Sequence, residues 1–254
     1  MELYLDKLVR LNVQSDGRDK IARLIQYACR ALWDSMRIRP SNAELIDKLK
    51  TLEYLLSSFR KLLRFGKCID LLYAAQRTIH HTNITLRLTL TLSKIATALY
   101  LYADHIIWLS RTGLTKSIDA KKWNDTANKY WFVSIVMNLC RDFYELSKLI
   151  DRTINAGNGR TKQTLYRWMF DTNSHITTLS KQDLTKLSLG LYAYIYENRA
   201  IFIDTTKNLC DIFIPLTALG YTKLKPRTVG LLGVISSIAA IIVLLQPAAK
   251  LQPS

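Results

Sequence analysis

Glycine and proline are scarce in this chain, at nine and five of 254 residues. With so little turn chemistry, and with apolar residues recurring every three or four positions, a strand-rich fold is excluded and a mainly helical one is predicted. Cysteine is scarcer still. Cys29, Cys68, Cys140 and Cys210 stand far apart with no paired spacing, which excludes a small disulfide framework and a zinc pattern. Reduced, mostly buried thiols in a cytosol-facing protein are expected. There are only four histidines, and the adjacent His80 and His81 would point about 100° apart on a helix, so they form no ligand pair. No Gly-rich phosphate loop and no nucleophile elbow occurs. The chain therefore reads as a non-enzyme with no cofactor and no metal ligands. The first twenty residues carry spread charges and no long apolar run, so a cleaved secretory signal is not expected.

Acidic residues are also few. Lys and Arg number 36 against 20 Asp and Glu, a net charge of +16. That excess favours a polyanionic partner, either anionic lipid or nucleic acid. Yet 49% of residues are hydrophobic, with 13 Tyr and 5 Trp. Greasy and basic together point to a membrane.

The segment "SFRKLLRFGK" (58–67) concentrates both properties. On a helical wheel, Leu55, Phe59, Leu62, Leu63, Ile69 and Tyr73 share one half, with Arg60, Arg64 and Lys67 opposite and Lys61 at the flank. An acidic protein groove, nucleic acid or a lipid headgroup layer could each satisfy such a helix. Basic amphipathic helices commonly serve at membrane surfaces or as target peptides. The expected membrane-binding set is Phe59, Arg60, Lys61, Leu62, Leu63, Arg64, Phe65 and Lys67. In this reading the cations hold headgroups, each contributing about 1 kcal/mol, while Phe59, Leu62, Leu63 and Phe65 wedge into the acyl boundary. A second amphipathic helix is predicted at 17–33, and another is predicted to begin after Pro40 with Ser41 or Asn42 as its cap.

Residues 84–110 are apolar but interrupted by Arg87, Lys94 and Asp104. Each charge at mid-span costs roughly 2.5–3.5 kcal/mol, so this segment reads as a bundle helix or one lying partly in the bilayer. Thr228–Ala249 carries no charge over 22 residues, around an apolar core at Val229–Leu245. It is the clean candidate span, at about 229–249. A nucleic-acid binder would have no use for it. Gly230, Gly233, Ser236, Ser237 and Ala240 form small-xxx-small pairs, a candidate self-association face. Lys223, Lys225 and Arg227 form a basic collar, a candidate targeting signal on the cytosolic side. "NAGNGRTKQ" (155–163) reads as a linker between an N-terminal amphipathic region (1–154) and a C-terminal helical region (164–254). Pro215 is expected to break the helical pattern in the latter. Asn83-Ile84-Thr85 and Asn124-Asp125-Thr126 match glycosylation sequons, which matter only in a lumenal segment.

Five stretches, "GRDKIARLIQYACR" (17–30), "RKLLRFGK" (60–67), "ALYLYADHIIWLSRTGL" (98–114), "KYWFVSIVMNLCRDFYEL" (129–146) and "GLLGVISSI" (230–238), carry a resemblance over nearly the whole chain. The chain resembles the peroxisomal membrane protein 11 (peroxin-11) family of peroxisome proliferation factors. The resemblance implies an integral peroxisomal membrane protein, its N-terminal region facing the cytosol, that elongates and tubulates the membrane before fission. It implies insertion of the amphipathic helix at 52–73, homo-oligomer formation, and an import receptor for peroxisomal membrane proteins. Fission adaptors with a dynamin-related GTPase are implied as further partners. The expected architecture is an all-α membrane-associated helical bundle with amphipathic helices and a C-terminal transmembrane helix. The alternative is an oligomeric channel or transporter-like protein for small metabolites, with Arg87, Lys94 and Asp104 lining its pore.

Overall fold

The computed structural model describes residues 2–37, 43–115, 118–156, 194–246 and 251. They form helices α1 (Glu2–Val13), α2 (Ser15–Met36), α3 (Ala43–Leu63), α4 (Lys67–Thr78), α5 (Ile84–Arg111), α6 (Ala120–Ala156), α7 (Arg199–Ala218) and α8 (Pro226–Leu245), with no strand among the described residues. The fold is all-α. Both α5 and α8 are long and apolar enough to cross a membrane.

Local chemistry sets the helix ends. Asn83 Oδ1 accepts from the backbone N–H groups of Thr85 (3.0 Å) and Leu86 (3.4 Å), capping α5. Its Nδ2 donates to the Tyr144 hydroxyl at 2.5 Å, so this sequon asparagine has a structural role at a helix N-terminus. Pro226 opens α8, where its fixed φ suits the first turn and its missing N–H costs nothing. Gly66 adopts φ 83°, a left-handed conformation that only glycine takes without strain. The amphipathic stretch is thus two helices, α3 and α4, which turn at this residue.

Pro215 does not break its helix. It sits buried near the end of α7, which continues to Ala218. With less than a turn left, the missing N–H forfeits one bond, to the Asp211 carbonyl. The helix stops instead at Gly220 (φ 83°), where Leu219 N donates to Pro215 O at 2.9 Å and Tyr221 N to Leu216 O at 2.9 Å. Asn155 and Ala156 of the expected linker belong to α6; residues 157–163, like the expected caps Ser41 and Asn42, lie outside the described residues.

Helices α2 to α8 close into a ring. α2 packs on α3 and on α8, α8 on α7, α7 on α6, and α6 on α5; α5 then meets α4 and, more lightly, α3. The C-terminal helices α7 and α8 are therefore walls of the same bundle as α2 and α6. Two small apolar clusters knit the walls together: Tyr27, Ile214 and Val229 with Trp131, and Ala103, Ile107 and Ala127 with Trp123. Along the α2–α8 seam the backbones nearly touch. A Cβ on Gly230 would lie 2.6 Å from Ala31 N, and one on Gly233 would enter the Tyr27 ring.

The outer surface carries apolar stripes. On α5, Ile84, Leu88, Leu92, Ile95, Leu99 and Tyr102 form one exposed stripe at three- and four-residue spacing. Leu231, Ile235, Ile238 and Ile242 do the same on α8, and Leu52, Leu55, Phe59 and Leu62 on α3. Contiguous exposed apolar surface on this scale marks a face made for another apolar medium.

Candidate functional site

The amphipathic stretch lies the opposite way round from the headgroup-anchor expectation. Arg60 and Lys61 are buried, and the Arg64 side chain is only 14% exposed. Phe65 is 56% exposed, Ile69 69% and Tyr73 60%; Leu63 alone of the apolar set is half-buried. The physical reason is pairing. Partners waiting on α2 and α5 make the interior the better place for these cations than a headgroup layer, since buried charge is tolerated when it is paired and hydrogen-bonded.

Two aspartates organise this interior. Asp19 on α2 accepts from Arg60 Nε at 3.0 Å, with Arg64 Nε at 3.6 Å and Lys20 Nζ at 3.3 Å. Asp104 on α5 pairs with Lys61 and with Arg64 Nη2, the latter at 2.6 Å. Arg60 also donates to Gln26 Oε1 at 2.8 Å, and Arg64 to the Tyr100 hydroxyl at 3.0 Å. Burial alone would raise the Asp19 pKa, but Arg60, Lys20 and Arg64 together hold the carboxyl well below the usual carboxylate range. Across the bundle, Arg23 Nη2 meets Asp211 Oδ1 of α7 at 2.5 Å. A second network joins α6 to α7: Arg141 bonds Asp142 (2.6 Å) and Asp204, Lys207 pairs with Asp204, and Asn208 donates to Asp142 at 2.6 Å. Lys67, the fourth cation of the stretch, pairs with Asp16.

The groups around Asp19, Asp104 and Asp211 border a cavity of about 770 Å³ lined from each of α2 to α8. Its wall includes Asp19, Arg23, Arg60, Arg64, Asp104 and Asp211, together with Ser134 and Asn138 of α6. Of the three charges expected to line a pore, Asp104 lies on this wall. Arg87 and Lys94 do not, and Lys94 donates to the Ala74 carbonyl at 3.1 Å.

The expected self-association face is also occupied within the chain. Gly230, Gly233, Ser236, Ser237 and Ala240 are buried, with Gly230 and Gly233 against α2. Small residues let backbones approach closely in lipid, and here the approaching backbone is the chain's own. The side of α8 left open is the Leu231–Ile242 stripe. By contrast, the collar residues Lys223, Lys225 and Arg227 are exposed, with the Arg227 backbone N–H donating to Asp34 Oδ2 at 2.9 Å. Of the cysteines, Cys29 is buried, Cys68 and Cys210 half-buried and Cys140 exposed, fewer inside than the sequence suggested.

Paired cations in the centre, apolar stripes outside and two helices long and apolar enough to cross a membrane describe an all-α membrane-associated protein with a polar interior. The comparisons narrow this class. The model of the Peroxisomal biogenesis factor 11 (PEX11) family matches residues 5–245, and the chain belongs to that family. It is 33% identical to human "Peroxisomal membrane protein 11B" and 32% identical to human "Peroxisomal membrane protein 11A". Each match covers 98% of this chain and 99–100% of the relative. It is 25% identical to "Peroxisomal membrane protein PMP30B" of Candida boidinii, over 92% of this chain and 91% of the relative. No solved structure matches.

Proposed function

We propose that this chain is an integral peroxisomal membrane protein that elongates the peroxisomal membrane and so promotes proliferation and fission, its N-terminal region facing the cytosol. Family membership and the names of the relatives support the location and the biogenesis role. The observation that carries the mechanism is the outward apolar edge of α3, the turn after it and α4, Leu55, Phe59, Leu62, Phe65, Ile69 and Tyr73. Seated in one leaflet, such an edge enlarges that leaflet's area and favours positive curvature. The wedge is apolar; the cations beneath it hold α3 to α2 and α5. Attraction to anionic lipid falls to exposed basic residues such as Lys121, Lys122 and the collar at Lys223, Lys225 and Arg227.

The full chain with Phe59→Ser, Leu62→Ser and Phe65→Ser, expressed in cells lacking the endogenous family members, tests this. Peroxisomes should stay short although the variant still resists carbonate extraction. Elongation equal to wild type would overturn the wedge. The collar supports reading by the membrane-protein import receptor, and Lys223→Ser, Lys225→Ser and Arg227→Ser together should divert the full chain from peroxisomes. Homo-oligomers and the fission adaptors with their dynamin-related GTPase complete the proposal; any oligomer contact would use the lipid-facing stripes and not the α2–α8 seam.

The ring of helices around a polar cavity favours a second reading, a conduit for small metabolites. It differs from an oligomeric pore in that one chain supplies the wall. Conductance or solute flux through reconstituted protein would support it, and tight vesicles would remove it.

A further inference from the structure

The central ion cluster is not electrically balanced. Its carboxylates are Asp19, Asp104 and Asp211. Facing them are Arg23, Arg60, Lys61 and Arg64, with Lys20, 29% exposed, at the rim. Among the described residues, two positive charges are left over, one of them at the rim. The cavity wall carries eight Lys and Arg and five Asp, and two of those cations, Arg30 and Lys207, find their carboxylates just outside it. The other nearby clusters do balance: Lys67 with Asp16, Arg30 with Glu53, and Arg141 and Lys207 with Asp142 and Asp204.

Buried excess charge is costly unless something compensates it. Arginine keeps its charge when buried, so the three guanidinium groups stay cationic. Donor capacity is also left over. Arg23 hydrogen-bonds only through Nη2 and Arg60 only through Nε and Nη1, so Arg23 Nε and Nη1 and Arg60 Nη2 have no hydrogen-bond acceptor among the described residues. Both side chains are nine-tenths or more buried and both line the cavity. Planar guanidinium forks with spare donors are the preferred receptors for carboxylate and phosphate oxygens. The cavity, at about 770 Å³, falls in the size range of sites for small molecules.

We propose that this cavity binds a small dianion, a dicarboxylate or a phosphate group, seated between Arg23 and Arg60 with Arg64 and Lys61 supplying further positive field. The anion restores neutrality to the cluster and takes up the spare guanidinium donors. The site stands whether or not the conduit reading does; only the passage of the bound anion through the ring rests on that reading.

The test uses the full chain purified in a non-ionic detergent, titrated calorimetrically with succinate, inorganic phosphate and short-chain phosphatidic acid, with choline as the cationic control. Saturable binding of succinate or phosphate identifies a soluble anion; binding of phosphatidic acid alone identifies a lipid headgroup as the dianion's source. Arg23→Gln and Arg60→Gln should each weaken binding at least tenfold, and Arg60→Lys, which keeps the charge but loses the fork, several-fold. Asp211→Asn is the opposing control: it raises the central charge excess by one and releases Arg23, so affinity should rise, a result that mere loss of structure would not produce. No saturable binding of any anion at millimolar concentration, or binding that Arg23→Gln and Arg60→Gln leave unchanged, overturns the proposal. Flux of succinate into proteoliposomes is measured separately, so binding without flux rejects the conduit and keeps the site.

Discussion

Lys61 and Asp104 pair inside the helix ring, bringing α3 onto α5 across 43 positions of sequence. Arg64, one helical turn beyond Lys61, holds the other oxygen of the same carboxylate at 2.6 Å. This shared carboxylate turns the cations of α3 inward, and so turns Phe59 and Leu62 outward to the medium.

Removing that carboxylate should be severe. Asp104→Ala leaves Lys61 and Arg64 buried without it, and breaking a buried pair typically costs about 3–5 kcal/mol. Thermal unfolding of the purified protein in detergent should show a large fall in midpoint. Lys61→Met combined with Asp104→Leu should recover part of the loss, because the cost lies in the stranded charge.

The seam between α2 and α8 has no room for a side chain. Gly230→Val should destabilise the single chain by at least the 1–3 kcal/mol of ordinary overpacking, since the opposing atoms are the Ala31 backbone. Leu231→Val, one position along and exposed, should change stability little. If Gly230→Val altered only the oligomeric state, with the monomer's unfolding midpoint unmoved, the seam would not be intramolecular.

The stripe on α5 discriminates lipid from water. Leu92 is exposed, so in an aqueous protein Leu92→Arg would be benign. On a helix face that meets lipid an arginine costs up to about 2.5–3.5 kcal/mol, the value at the helix centre. Carbonate extraction should therefore release more of the Leu92→Arg variant than of wild type, while Thr97→Ser on the packed side should behave as wild type.

Acid should loosen the bundle through Asp19. Its folded pKa is depressed below its ordinary value, with Arg60, Lys20 and Arg64 outweighing burial. Its contribution to stability is thus fully present above the unfolded pKa, about 3.9. It is lost progressively as the pH falls below that value toward the lower folded pKa. Stability measured from pH 5 to pH 2 should decline, and Asp19→Asn should flatten that decline from a lower starting stability. An unchanged acid limb in the variant would show that other carboxylates set it.

The helices were legible because their signals are local. Scarce Gly and Pro, the apolar spacing along 84–110 and the uncharged run at 228–249 each act within one helix, and α5 and α8 formed where those patterns lie. Gly66 turns the chain between α3 and α4 through a φ of 83°, and a φ angle is a property of the fold. Pro215 misled because its cost depends on how much helix follows it, and here little does.

Which way each helix faces was beyond the sequence. A wheel through Phe59, Arg60, Lys61, Leu62 and Arg64 separates cations from apolar groups equally well whether the surroundings are water, headgroups or a bundle interior. Nothing within 58–67 distinguishes these. Only the fold brings Asp19 from α2 and Asp104 from α5 to the same place, and their carboxylates make the interior the lower-energy site for the arginines. The small residues of α8 follow the same logic: Gly230 and Gly233 announce a close helix contact, and the closing of the ring decided that the partner is α2. The sequence alone determined the helices, the candidate span and the separation of charge from grease on each helix, because these depend on neighbours three and four residues away. The tertiary structure decided the inward turn of that charge, because electrostatic pairing depends on groups that meet only when the chain has folded.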